Sequence, residues 1–285
     1  MANDLPYNFG GLSARYSNYK NSKIVIIPVP FDKTSSWIKG SNKGPGAIIN
    51  ASRNMELYDI ETDSEVYRKG IHTSGSVNAV NGRTLAGKLK TRVSSFLNDN
   101  KFVVVLGGEH TVSLGTIQSH SEFFKDVSIL HLDAHSDMRD AYDGDIFSHA
   151  CIMARVKEIT PNIISAGIRS TDTSELKNIN KRNTFYASHI HHSRDWIKRA
   201  VKKLSDNVYI SIDLDVFDSS IMPSTGTPEP GGLGWYDVID LLEVVSKNRN
   251  IVGFDVVELC PSKNNMGPDF LAAKLIYKLL SLKFT

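Results

Sequence analysis

Cysteine is nearly absent: Cys151 and Cys260 are the only two in 285 residues. Two thiols so far apart exclude a disulfide framework and a C-x-x-C redox or metal motif, so both are expected to be reduced, Cys260 as core packing. No run of eighteen apolar residues occurs, and the N-terminal MANDLPYNFGG has no basic stretch followed by an apolar one. A membrane span and a secretory leader are therefore not expected, and the reading is a soluble cytoplasmic protein. Charge of one sign is lacking too: 33 Lys and Arg against 31 Asp and Glu leave a formal net charge of +2. The basic residues are scattered, which gives no electrostatic footprint for nucleic acid or an anionic membrane. Repeats, low-complexity tracts and Pro-, Gly- or Ser-rich linkers are also missing. With 41% hydrophobic residues the chain can bury a large core, and a single domain over 1–285 is expected.

What the chain has instead is short apolar runs, over 23–30, 101–106, 127–133, 162–169, 207–215 and 251–259, that read as buried strands. Between them lie stretches with helical spacing, among them 84–97, 113–124, 193–204 and 235–246, and a last helix is expected over 269–282. Strands alternating with helices predict crossover units and a parallel sheet.

Polar residues gather where these runs end. Gly107-Gly108-Glu109-His110 follows the second run, Asp133-Ala134-His135-Ser136-Asp137 closes the third, Asp213-Leu214-Asp215 the fifth, and Glu258 comes late in the sixth. In open parallel sheets that edge collects ligands. An extended strand sends alternate side chains to one face, so Asp133, His135 and Asp137 are expected to converge, as are Asp213 and Asp215. Four carboxylates so close would not ionise together without cations between them. Joined by the imidazoles of His110 and His135 they form a nitrogen and oxygen set that suits Mn²⁺, and also Fe²⁺, Co²⁺ or Zn²⁺. One strand-end aspartate alone more often caps a helix; the combination D-x-H-x-D with D-x-D points to a pair of divalent ions. His131 sits deeper in its run and reads as a buried, hydrogen-bonded imidazole. His189, His191 and His192 lack carboxylate companions and read as a solvated turn. Gly107-Gly108 lacks the Lys and Ser or Thr of a phosphate-binding loop and reads as a tight turn that aims His110.

The segments GGEH (107–110), HLDAHSD (131–137), SHA (148–150), SIDLDVFD (211–218), TGTPEPGGL (225–233) and GFDVVELCP (253–261) together resemble the ureohydrolases, the family that includes agmatinase and arginase. The entry segment over 30–52 is more similar to the agmatinases. Glu109 is a departure, since many members carry Asp there. The resemblance implies a three-layer α/β/α fold around a central, mostly parallel eight-stranded sheet, two Mn²⁺ ions, and a homo-oligomer, a trimer or a hexamer. Position by position it implies His110 and Asp137 on one ion, His135 and Asp215 on the other, and Asp133 and Asp213 bridging both. It also implies His149 as the proton relay, Asp137 as orienting a metal-bridging hydroxide, and Glu258 with Thr227 as partners of the substrate's guanidinium.

A guanidinium is resonance-stabilised and nearly always protonated, so hydrolysis needs an activated water and a proton for the departing amine. The partner expected is a small cationic guanidino compound. Arginine brings a carboxylate to the cleft rim, whereas agmatine does not. The loop over 138–148 carries Asp140, Asp143 and Asp145, with Arg139 as the one opposing charge, which favours agmatine, hydrolysed to putrescine and urea. The alternatives are an arginase or other guanidino-acid hydrolase, a one-zinc deacetylase, against which the TGTP segment and Glu258 speak, and a catalytically silent protein that binds metal and polyamines.

Overall fold

Each of the six apolar runs forms a strand, and two three-residue strands that the sequence pattern does not announce complete the sheet. In this computed structural model, which describes residues 5–285, the strands are β1 (Ile24–Val29), β2 (Ile71–Thr73), β3 (Phe102–Gly107), β4 (Val127–Leu132), β5 (Ile163–Ile168), β6 (Thr184–Tyr186), β7 (Asn207–Asp213) and β8 (Asn250–Val257). Every pairing is parallel, in the order β2-β1-β3-β8-β7-β4-β5-β6. β2 and β6 lie at the two edges.

Strand alternation divides the core between two helical layers. Val25, Ile27, Val29, Val103 and Val105 pack against Leu85, Leu89, Val93 and Phe96 of α3 (Gly82–Asn98). On the same side Ile129 and Tyr209 meet α4 (Ser113–Phe123) and α5 (Ile152–Lys157). The intervening residues, including Ile24, Ile26, Val104, Ile210 and Phe254, face the opposite layer. That layer is built from α2 (Gly44–Ser52), α7 (Asp195–Lys203), α8 (Trp235–Asn248) and α9 (Gly267–Phe284). α1 (Ala14–Ser17) and α6 (Ala187–Ile190) are single turns. Burial on both faces is why the strands read as unbroken apolar runs. The result is a three-layer α/β/α fold, and its sheet is wholly parallel.

The expected helices are present with ends shifted by up to two residues. α3 starts early because Asn81 caps it, its side chain accepting from the Thr84 amide at 2.9 Å. The strands, however, stop short of the polar residues. β4 ends at Leu132, so Asp133 lies beyond it, and Asp213 ends β7, which gives way to a 3₁₀ turn over Leu214–Val216. Glu258 follows β8 with a φ of 67°. The glycine pair also works differently from a tight turn. Neither has positive φ, but a Cβ on Gly108 would sit 2.0 Å from the Phe31 carbonyl oxygen. Gly108 serves a close approach: its amide donates to Val29 O at 2.9 Å and that of Glu109 to Phe31 O at 2.8 Å.

Candidate metal centre and catalytic cleft

β3, β8, β7 and β4 are consecutive neighbours in the middle of the sheet, and their carboxyl ends deliver His110, Glu258, Asp213 and Asp133 to one crevice. Convergence comes from turns, not from extended alternation. Beyond β4 the Asp133 carboxylate accepts from the His135 amide at 2.5 Å, folding the chain back. Asp137 then adopts a φ of 52°, a left-handed conformation that Asp tolerates. Its carbonyl accepts from Met153 and Ala154, while the Arg139 amide donates to Ala150 O at 3.1 Å. These bonds pinch the loop shut, and His149 and Asp137 line the same cleft. After β7 the Asp213 carboxylate accepts from the Asp215 amide at 2.9 Å, and Asp215 accepts from the Ala134 amide at 3.0 Å. The two loops are thereby tied together by the side chains they present.

His110 Nδ1 lies 3.0 Å from Asp137 Oδ2, 3.2 Å from Asp133 Oδ2 and 3.5 Å from Asp213 Oδ2. It is buried and makes no hydrogen bond to any described residue. Its other nitrogen, Nε2, is 2.9 Å from Ser211 Oγ, which donates to Asp255 at 2.8 Å. With that hydroxyl hydrogen committed, the Ser211 oxygen accepts from Nε2–H, which leaves Nδ1, among three carboxylates, as the atom to hold either a proton or a cation. That is the arrangement a cation requires. A second cluster forms around His135 Nδ1, 2.9 Å from Asp215 Oδ2 and 3.7 Å from Asp133 Oδ1. Asp133 thus belongs to both clusters. His135 Nε2 is backed by Glu229 at 3.7 Å. His131 could also reach an ion shared with His110 and Asp133. Its Nε2, however, is engaged by Asp133 Oδ2 at 2.7 Å and its Nδ1 lies 3.1 Å from Ser165 Oγ, so it is the hydrogen-bonded imidazole expected.

Electrostatics agree with the donor set. Burial disfavours an imidazolium at His110, but Asp133, Asp137 and Asp213 outweigh it and hold its pKa well above the ordinary value. Burial likewise opposes charge on His135, where Asp215 and Asp133 prevail and raise its pKa. Asp213 is pushed well up, first by burial and then by the neighbouring Asp215 and Asp133. A divalent cation held by the same atoms takes the place of the imidazole protons and relieves Asp213. The residues present therefore fit two such ions.

Over this centre lies a cleft of about 240 Å³. His149, Glu258 and Thr227 all line it, together with His110, His135, Asp137, Asp213 and Asp215, while Asp133 is buried beneath. Glu258 accepts from the His110 amide at 2.7 Å, and its own amide donates to Gly108 O at 2.7 Å. Burial and the nearby Glu109 push its pKa well up, which makes it a carboxylate in want of a cationic partner. His149 engages Thr34 and Ser148 through Nδ1, at 3.0 and 3.2 Å. His189, His191 and His192 are exposed and are not brought to the cleft.

The rim differs from the expectation for the 138–148 loop. Its three aspartates are not among the residues lining the cleft; Asp140 is paired with Lys177 at 2.5 Å. The acid there comes from Asp172 and Glu175, after β5. Arg139 is the only Lys or Arg among the lining residues described, and it lies 3.6 Å from Asp172 and 3.5 Å from Glu175. Arg169, without an expected role, donates to the carbonyls of Asp215 at 2.6 Å and Glu229 at 2.9 Å, clamping the β7 turn against the 225–233 loop. Ser211, Asp255, Glu229 and Thr34 lie within or beside recognisable motifs, but only the folded contacts disclose their work.

The model of the arginase family matches residues 22–281. This chain belongs to the arginase family. As a family member it is a metal-dependent ureohydrolase, and its fold agrees with that of solved relatives. It is 36% identical over 269 residues to an N(1)-aminopropylagmatine ureohydrolase of Thermus thermophilus, covering 93% of this chain and 92% of that one. It is 31% identical over 268 residues to the agmatinase of Pyrococcus horikoshii, covering 92% and 93%. The crystal structure of the agmatine ureohydrolase of Thermoplasma volcanium superposes with a TM-score of 0.88 at 31% identity, covering 98% of this chain and 94% of the other. Among the described residues no helix is long and apolar enough to cross a membrane.

Proposed function

We propose that the chain, acting as one domain, hydrolyses agmatine to putrescine and urea with two Mn²⁺ ions. His110 and Asp137 would hold one ion and His135 and Asp215 the other, with Asp133 and Asp213 shared; the two clusters around His110 Nδ1 and His135 Nδ1, with Asp133 common to both, support that division. The metal pair supplies a water activated near neutral pH. The rest falls to the side chains. Glu258, short of a cationic partner, accepts N–H groups of the guanidinium, and the Thr227 hydroxyl adds a further contact at the cleft wall. Asp137, which borders both His110 and the cleft, orients the attacking water's remaining hydrogen. As the carbon–nitrogen bond breaks, its electron pair stays on the leaving nitrogen, which takes from His149 Nε2 the proton that this atom would accept when the water is activated. A homo-oligomer, trimeric or hexameric, is proposed on the strength of the family resemblance, and a cytoplasmic location on that of the sequence pattern.

One observation carries the choice of substrate: Arg139, the only Lys or Arg described at the cleft, is already opposed by Asp172 and Glu175. A substrate α-carboxylate would enter an acidic rim without a free partner, whereas an uncarboxylated alkyl guanidine meets no such penalty. A second reading is the longer N(1)-aminopropylagmatine. The Thermus relative's name and the two rim acids, which suit additional ammonium groups, favour it.

Urea release from Mn²⁺-loaded enzyme decides among these. Agmatine is expected to exceed arginine in kcat/KM by about 10²-fold or more. Equal rates with arginine would overturn the reading, and a strong preference for N(1)-aminopropylagmatine would install the second in its place. Absence of urea from every guanidino compound would leave a metal- and polyamine-binding protein.

A further inference from the structure

Glu109 is fully buried, next to the metal cluster, and touches none of the acidic side chains that form it by hydrogen bond. Its partners lie mainly in the entry segment. Oε2 accepts from the amides of Lys33 and Thr34 at 2.7 Å each and from that of Ser35 at 3.2 Å. Oε1 accepts from the hydroxyls of Thr34 and Thr111, both at 2.7 Å. Every partner is a donor, so both carboxylate oxygens act as acceptors.

The Thr34 hydroxyl hydrogen is thus committed to Glu109, and its oxygen can only accept from anything else. Two nitrogens of His149 approach that oxygen: the backbone amide at 3.0 Å and Nδ1 at 3.0 Å. Nδ1 must then carry the hydrogen. The Ser148 hydroxyl oxygen, 3.2 Å from Nδ1, offers a second acceptor. Tyr142 meets the imidazole edge-on, with ring centroids 5.7 Å apart, and Asp137, Arg139 and Glu258 share the cleft with it. Nε2 has no hydrogen-bond partner among the described residues.

We propose that Thr34, anchored by Glu109, is a positioning residue that holds His149 as the Nδ1–H tautomer and leaves Nε2 free to accept the proton given up by the attacking water and pass it to the departing amine. The functional half of this statement rests on the relay role proposed for His149. The tautomer matters because a neutral ring protonated on Nε2 could not take up a fresh proton from the cleft through that atom. The device also couples distant parts of the chain: a carboxylate at the end of β3 orders the segment after β1, and that segment aims a histidine from the loop beyond β4.

Thr34→Val removes the hydroxyl and keeps the branched shape, while Thr34→Ser keeps the hydroxyl. In Mn²⁺-loaded enzyme, T34V is expected to lose about tenfold or more in kcat with KM for agmatine within about twofold and bound metal unchanged by elemental analysis; T34S restores most of the loss. A second readout is independent of turnover. In ¹⁵N-histidine-labelled, Zn²⁺-loaded protein, the ring resonances of His149, assigned by their absence in H149N, should report Nδ1–H in the wild type and a tautomer mixture in T34V. Wild-type kcat in T34V, or an Nε2–H ring in the unmodified enzyme, would overturn the proposal. If instead H149N turns over at the wild-type rate, the relay reading fails, and the spectrum alone then decides whether Thr34 sets the ring.

Discussion

Asp213 sits where burial and two neighbouring carboxylates all act against its charge, and its Oδ2 still points at His110 Nδ1 from 3.5 Å. A side chain so placed suits a shared cation, the role proposed for it. Asp213→Ala is therefore expected to remove most bound Mn²⁺ and turnover together; unchanged metal content by elemental analysis would refute the role. His149 is the contrasting case, since it lies at the cleft and touches none of the six proposed ligands by hydrogen bond. His149→Ala should keep both ions and lose about 10²–10⁴ in kcat where proton transfer limits the rate. The six proposed ligands are legible in sequence because metal chemistry restricts such donors to a few residue types at short spacing. The residues that aim them are not. Ser211 and Asp255 become a support for His110 only once β7 and β8 lie side by side, and Thr34 meets Glu109 across a sequence gap that no local pattern spans. Arg139 was read correctly as the one rim cation, but its partners Asp172 and Glu175 belong to another loop.

At the scale of elements, the long strands were legible because each is buried on both faces and reads as a continuous apolar run, whereas β2 and β6 span three residues each and sit half-covered at the edges, too short for any period to show. Strand ends were the other blind spot. Asp137 and Glu258 take positive φ, so the chain leaves the extended conformation where its chemistry begins. Gly108 makes that junction possible by letting the entry segment lie against the end of β3. Gly108→Ala puts a methyl group 2.0 Å from a backbone oxygen, so β3 or the Phe31 segment must move. A loss of about 1–3 kcal/mol is expected in urea-induced unfolding, accompanied by lower activity as Glu109 and Thr34 shift. Gly87→Ala is the control, because its Cβ meets nothing within 4 Å and the site is an exposed turn of α3. The same unfolding measurement should show it stabilised by about 0.5–1 kcal/mol. Equal stability of G108A and the wild type would mean that the close approach is not a constraint.

For the whole molecule, the near-neutral net charge conceals a steep local imbalance. Asp133, Asp137, Asp213, Asp215, Glu109 and Glu258 crowd one buried crevice, against which the exposed lysines are screened and distant. Without a metal the surrounding carboxylates favour charge on His110 and His135, while burial and like-charged neighbours disfavour it on Asp213 and Glu258. Cations bound only by the folded state must then contribute to stability by mass action, about 4 kcal/mol per ion at a free concentration one thousand times Kd. At about 2.1 cal/mol/K of unfolding entropy per residue, a chain of 285 residues gains just under about 2 °C in Tm per kcal/mol, so removing both ions by chelation should lower Tm by about 10 °C or more, and excess Mn²⁺ should restore it. Asp213→Asn separates this effect from simple damage to the fold. The amide keeps the shape and removes the disfavoured charge, so the metal-free variant should melt no lower than the metal-free wild type while responding much less to Mn²⁺. If chelator-treated and Mn²⁺-loaded wild type melt at the same temperature, the carboxylates are already satisfied by the protein itself, and the crevice is a structural network, not a metal centre.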